Sequence, residues 1–147
     1  MLKSLIIILL CLTGIQSKEN VAPGDQILGK WVSAEKNIIV QVYKSGDTFK
    51  GKIVWYKGDD PSKAMDEWTD KHNPDPALRG RKIIGMDVLR DLKYDAKNNV
   101  WEDGMIYEAK TGKEYNASAY IDKSGLLRVK GYWHFKFIGK TMVFKRA

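Results

Sequence analysis

Two arginines, Arg79 and Arg81, flank Gly80 at the end of the run Asn73-Pro74-Asp75-Pro76-Ala77-Leu78-Arg79-Gly80-Arg81. Planar guanidinium groups suit carboxylates and phosphates, so the first chemistry to consider is anion binding. The prolines make the display stiff, because each fixes its own φ and pushes Asn73 or Asp75 into extended backbone. Asp75 then reads as an N-cap, Pro76 as the first helical residue and Gly80 as the stop, which predicts one short helical turn. Such a platform could present Asn73, Asp75, Arg79 and Arg81 to an anionic ligand. Equally, its arginines could lock onto the nearby Asp59, Asp60, Asp66 and Asp70. Arg81, at the approach to a strand, is the one expected to bond within the loop, leaving Arg79 to solvent or ligand.

Other chemistry finds less support. The only histidines are His72 and His134, the only cysteine is Cys11, and no Gly-x-Ser-x-Gly elbow is present, so no activated nucleophile is assigned. His72 lies among Asp66, Asp70 and Asp75, but the order Asp70-x-His72-x-Pro74 lacks the central glycine of a calcium loop. No metal, cofactor or catalytic residue is expected. The Asn116-Ala117-Ser118 sequon falls in a predicted strand and is read as chance.

Aromatic residues are the richer resource, with five Trp and seven Tyr. Trp55, Tyr107, Tyr115 and Trp133 fall on predicted inward faces or near strand ends, and Tyr107, Tyr115 and Trp133 are candidate walls of a ligand site. Gly51, Ala117, Ala119 and Gly131 share those faces and favour a cavity, whereas the bulky aromatics favour a filled interior.

The elements that must position these groups are strands, because the hydrophobic period is two almost throughout. Ile38, Val40 and Val42 share a face, Ser45-Gly46-Asp47 turn the chain, and Phe49, Gly51, Ile53 and Trp55 alternate with lysines. Val54 alone breaks the alternation. A long strand over about 82–93, bent at Gly85, is followed by strands from Val100 to Tyr107, along Tyr115, Ala117, Ala119 and Ile121, along Leu127, Val129, Gly131 and Trp133, and along Met142, Phe144 and Arg146. About eight strands with short turns predict an all-β, small antiparallel up-and-down barrel with one long loop carrying a helical turn. A sandwich is the alternative. Gly29-Lys30-Trp31 near the start and Arg146 near the end resemble the lipocalin-like (calycin) pattern. There such an arginine meets the tryptophan across the closed end, which implies that Gly29, Trp31 and Arg146 close the barrel.

The loop motif occurs together with Gly85, with Trp101-x-x-Gly104-x-Ile106-Tyr107 and with Thr111-Gly112-Lys113-x-Tyr115-x-Ala117. Leu127-x-Val129-x-Gly131-Tyr132 and Gly139-Lys140-Thr141 with Arg146 continue the series. In order and spacing these resemble the family called domain of unknown function 2147, from about Ile27 to the C-terminus. Phe144 stands where that pattern usually has Trp. The resemblance implies a small secreted bacterial protein, lipocalin-like in fold, with no activity to carry over.

Residues 1–17 read as a secretory signal peptide: Lys3, an apolar run over 5–12, then Ile15-Gln16-Ser17 as a cleavage site. Leu10 before Cys11 and the position of that cysteine inside the apolar run argue against lipidation. Residues 18–26 are expected to be a flexible leader and 27–147 a single barrel domain. Removing Lys3 takes the net charge from +7 to +6, and no basic run exceeds two residues, which argues against nucleic acid. The expectation is an exported monomer, periplasmic or extracellular, with no membrane span after signal removal. Its role would be non-catalytic binding of a small apolar or amphipathic ligand in the cell envelope. The alternatives are a filled barrel that docks on an envelope component, and a hydrolase.

Overall fold

The structure, a computed structural model, describes residues 14, 20–135 and 139–147. The expected signal peptide therefore lies almost wholly outside the described residues. Eight strands follow in order: β1 (Gly29–Ser33), β2 (Ile38–Ser45), β3 (Thr48–Tyr56), β4 (Asp87–Asp95), β5 (Val100–Glu108), β6 (Lys113–Ile121), β7 (Leu127–Tyr132) and β8 (Gly139–Arg146). Each pairs antiparallel with the next, and β8 returns to β1 with Trp31 opposite Arg146 and Ser33 opposite Phe144. The sheet thus closes on itself and leaves no edge strand, the solution expected for short strands joined by tight turns. Among the described residues no helix is long and apolar enough to cross a membrane.

The alternating residues form the core. Val40, Val42, Phe49, Leu89, Leu92, Trp101, Ala117, Ala119, Leu127, Val129 and Phe144 are buried in one cluster with Ile27 and Trp31. Each large side chain removed from water in this way stabilises the fold by roughly 1.5–3 kcal/mol. Val54 has a simple explanation. The register runs Ile39 opposite Trp55 and then Val40 opposite Ile53, so Val54 is the extra residue of a bulge.

Small residues on the inward faces admit their neighbours. A Cβ on Gly51 would lie 2.9 Å from Val40 Cγ1 and 3.2 Å from Leu89 Cβ, and Ala117 and Ala119 are fully buried. Side chains of the two flanking strands thus fill the space beside Gly51, which does not mark a void.

At one end the interior is plugged. Trp31 donates its indole N–H to the Ile27 carbonyl at 2.8 Å, and the Arg146 guanidinium lies 3.9 Å from the Trp31 ring centroid. Arg146 also donates to the carbonyls of Leu28 and Gln26. Gly29 sits at φ +112°, where an added Cβ would stand 3.2 Å from the guanidinium. Gly29, Trp31 and Arg146 therefore meet as the calycin pattern implies. The second half of the expected leader differs from a flexible tail, because Pro23–Ile27 forms a 3-10 turn. Pro23 fixes the first φ, Ile27 is wholly buried, and Trp101 donates to the Gly24 carbonyl at 3.1 Å, so this turn belongs to the plug.

β4 begins later than the expected strand over 82–93. Gly85 takes φ +85°, outside extended backbone, so residues 83–86 form a turn, closed by the Met86 N–H donating to the Ile83 carbonyl at 3.2 Å, before the strand proper. Likewise Trp133 does not continue β7. The strand ends at Tyr132, and His134 at φ +57° turns the chain away.

Candidate functional site

Residues 57–86 leave β3 and return to β4 at the barrel end opposite Trp31. This strap zips onto itself. The Asp70 N–H donates to the Arg81 carbonyl at 2.9 Å, the Ile83 N–H to the Trp68 carbonyl at 3.0 Å, and Thr69 forms a bridge with Lys82. It is stitched to the barrel by the Ile53 N–H donating to Met86 and the Gly85 N–H donating to Ile53, at 3.0 and 2.7 Å. Beneath it Ile53, Ile83, Met86 and Tyr107 form a second buried cluster, flanked by Tyr56 and Trp68. Apolar side chains therefore cover this end of the barrel too.

At the centre of the strap is Asp70, whose side chain is fully buried. Its Oδ1 accepts from the Tyr107 hydroxyl at 2.6 Å, and its Oδ2 accepts from Asn73 Nδ2 at 2.8 Å and Arg81 Nε at 2.9 Å. Arg81 also lies over the Tyr107 ring, 5.5 Å from its centroid. Burial pushes the Asp70 carboxyl up, but the three hydrogen bonds and the guanidinium charge outweigh it and hold the group below its ordinary value. Tyr107 is pushed up to about 12, first by burial and then by its bond to the Asp70 carboxylate and that group's charge.

The predicted turn is present, as a 3-10 turn over Pro76–Leu78 with Asp75 as N-cap accepting from the Ala77 N–H at 3.0 Å. Asn73 is buried and its Oδ1 accepts from the Asp75 N–H. Arg79 also bonds inside the strap, donating from Nε to the Asn73 carbonyl at 2.8 Å. Both arginines thus hold the loop, Arg81 through a charged pair and Arg79 through a backbone carbonyl. Arg81→Ala should lower stability by about 1 kcal/mol, because its side chain is 40% exposed and the pair is partly screened. Arg79→Ala should cost about half as much. Thermal unfolding of the two variants checks the order.

The strap rests on the turn between β5 and β6. Gly112 has φ +71°, and an added Cβ would come within 2.0 Å of the His72 carbonyl oxygen. Gly112→Ala therefore combines left-handed strain of about 1 kcal/mol with a clash against backbone. We expect at least ~2 kcal/mol of destabilisation and faster proteolysis within residues 57–86. An unchanged cleavage pattern would show that the strap does not depend on this seat.

Of the predicted ligand residues, Asn73, Arg81 and Tyr107 are brought together around Asp70, and Asp75 and Arg79 support them within the strap. Tyr115 and Trp133 meet elsewhere at the same barrel end. Tyr107 on β5 opposes Glu114 on β6, and the Glu114 carbonyl accepts the Trp133 indole N–H at 3.0 Å. The Tyr115 and Trp133 rings stand 5.7 Å apart at 32°. Trp133, Asn116 and His134 line an open depression of about 290 Å³. Sequence reasoning missed Asp70 as the hub, since it was one of four acids near the arginines. A pairing pattern around the loop would have been needed to single it out. Among the described residues no three His, Cys, Asp or Glu side chains gather as metal ligands would.

Residues 29–146 match the family described as an uncharacterized protein conserved in bacteria, DUF2147. The chain belongs to this family. The span shared with DUF2147 runs from Gly29 to Arg146, the two residues that meet at the plug, and contains the strap and the Trp133 depression. The chain is also similar to a solved structure described as protein HP1028 from the human pathogen Helicobacter pylori, belonging to the lipocalin family. That match has a TM-score of 0.68 and 26% identity over 82% of each chain. No curated protein matches the chain. This DUF2147 chain is thus an eight-stranded, lipocalin-like barrel, a fold that suits small-ligand binding.

Proposed function

We propose that this is an exported, non-catalytic barrel protein of the bacterial cell envelope that binds one small amphipathic ligand at the strap end of its barrel. The observation that carries the reading is the exposed but fixed Trp133 ring, which lines an open depression of about 290 Å³ beside the strap. Both ends of the barrel interior are covered, and a broader surface depression of about 1180 Å³ lies outside the plug around Arg146 and Gln26. Lipocalin-like architecture in the solved relative supports the same class of role. Asp70 is pushed down and Tyr107 up, so near neutrality the acid stays ionised and the phenol protonated, as a pair that fixes the strap requires.

Native mass spectrometry of the protein purified from its own host tests the binding, with a retained small molecule as the expected result. Fractionation of the same cells tests export, with the mature chain expected to begin near Lys18. A protein that carries no small molecule, and that remains inside the cell with Met1 intact, would defeat the proposal. A second reading is favoured by the close packing around Gly51: a filled barrel that docks on an envelope component through its lysine-rich surface. Recovery of the ligand-free protein in a stable complex with such a component would select it.

A further inference from the structure

We propose that the depression at Trp133 is a saccharide subsite, in which a sugar ring stacks on the indole and its hydroxyls bond Asn116 and His134. The inference deepens the small-ligand reading and rests on it. Trp133 is 54% exposed, yet it is held in place, with its N–H donating to the Glu114 carbonyl and its ring against Tyr115. A large indole kept in water and fixed by two contacts offers a pre-ordered apolar surface, which lowers the entropic cost of binding.

Polar groups complete the site. Asn116 and His134 line the same depression, and neither side chain has a hydrogen-bond partner among the described residues. An amide supplies two donors and an acceptor, and a neutral imidazole supplies one of each. His134 is held at φ +57°, a left-handed conformation that is costly for a residue with a Cβ and that recurs at ligand clamps. The Lys113 ammonium stands 5.8 Å from the Trp133 ring centroid, where it could meet an acidic substituent on the sugar.

The combination selects the ligand chemistry. A pyranose has an apolar C–H face and a rim of hydroxyls, which match a fixed aromatic plane beside an amide and an imidazole. An acyl chain would desolvate Asn116 and His134 without replacing their bonds to water. The indole N–H is already bonded to backbone, so the ring face is what remains for a ligand. The depression is open and of about 290 Å³, a platform for one sugar ring that leaves the rest of a glycan in water.

The test is an array of bacterial glycan fragments probed with the full mature protein, followed by calorimetric titration of any fragment retained. Phosphatidylglycerol vesicles form a parallel arm. Retention of at least one glycan is expected. Its affinity should fall about tenfold or more in Trp133→Ala, less in Trp133→Phe, and severalfold in Asn116→Ala, the last with an unchanged unfolding curve because Asn116 is exposed and its side chain bonds nothing among the described residues.

If no glycan is retained, or if a retained glycan is indifferent to all three substitutions, the subsite is refuted. Trp133-dependent binding to vesicles without glycan binding would refute it in favour of a membrane contact. A small molecule retained from the host equally by wild type and Trp133→Ala would remove the saccharide subsite but leave the barrel-binding reading standing. Neither retained molecule nor glycan binding would remove both.

Discussion

Asp70→Ala is expected to destabilise the protein by about 3 kcal/mol, the largest effect of any single polar side chain in the strap. The carboxylate is fully buried and accepts three hydrogen bonds, one of them from a guanidinium. Its removal strands the Tyr107 hydroxyl, the Asn73 amide and the Arg81 Nε together. The estimate stays at this level because Arg81 is 40% exposed and can turn to water. Asp70→Asn should cost roughly half as much, since it keeps the shape and an acceptor for Tyr107 but sets a donor against Asn73 or Arg81. Urea denaturation gives the global value. Hydrogen exchange at the Asp70 and Ile83 amides, which zip the strap, reports its local opening. A wild-type urea midpoint in Asp70→Ala would show that the hub is dispensable.

The same hub sets a pH window with two edges. Asp70 is shifted down on folding, so its contribution is complete above its unfolded value of about 3.9 and is lost as pH falls through the lower folded value. Tyr107 is shifted up to about 12, so its contribution is complete below about 10 and is lost as pH rises through 12. Wild-type stability should therefore drop at both extremes. Tyr107→Phe should flatten the alkaline limb contributed by this group, and Asp70→Asn should flatten the acid one.

The barrel was legible because its signals are local and repeated. Alternation in Ile38, Val40 and Val42, or in Leu127 and Val129, needs only neighbours to be read, and eight such runs with short turns leave few architectures. The Pro76–Leu78 turn was equally legible, since proline and an Asx cap act on their own backbone. The hub was not legible. Tyr107 lies 37 positions from Asp70, and nothing in the spacing says which of Asp59, Asp60, Asp66 or Asp70 will be buried. Trp133 misled for a related reason: its parity continues β7, but a backbone turn at His134 overrides the pattern. The Pro23–Ile27 turn looked like linker because its partners, Trp101 and Arg146, lie more than 70 residues away.

Trp31 and Arg146 should be coupled, and Trp31→Ala should be the most damaging single substitution at the plug. Trp31 is 1% exposed within the main cluster, so truncation to Ala should cost about 3–5 kcal/mol in lost burial and cavity. The Ile27 carbonyl would also lose its indole donor. Arg146→Ala should cost about 1–2 kcal/mol, because it removes the contact over the ring and the bonds to Leu28 and Gln26. Burial alone pushes the Arg146 guanidinium below its ordinary value, and an arginine so shifted still carries its charge near neutrality. The damage should therefore be insensitive to pH there. If Trp31→Ala leaves too little folded protein to measure, Trp31→Phe keeps a ring under the guanidinium and deletes only the indole N–H and part of the volume. In a double-mutant cycle with Arg146→Ala, the combined loss should fall short of the sum by about 1 kcal/mol, since the two side chains share one contact. Strict additivity would mean that the arginine holds the end of β8 through the Leu28 and Gln26 carbonyls alone, and that its position over the tryptophan contributes nothing to closing the barrel.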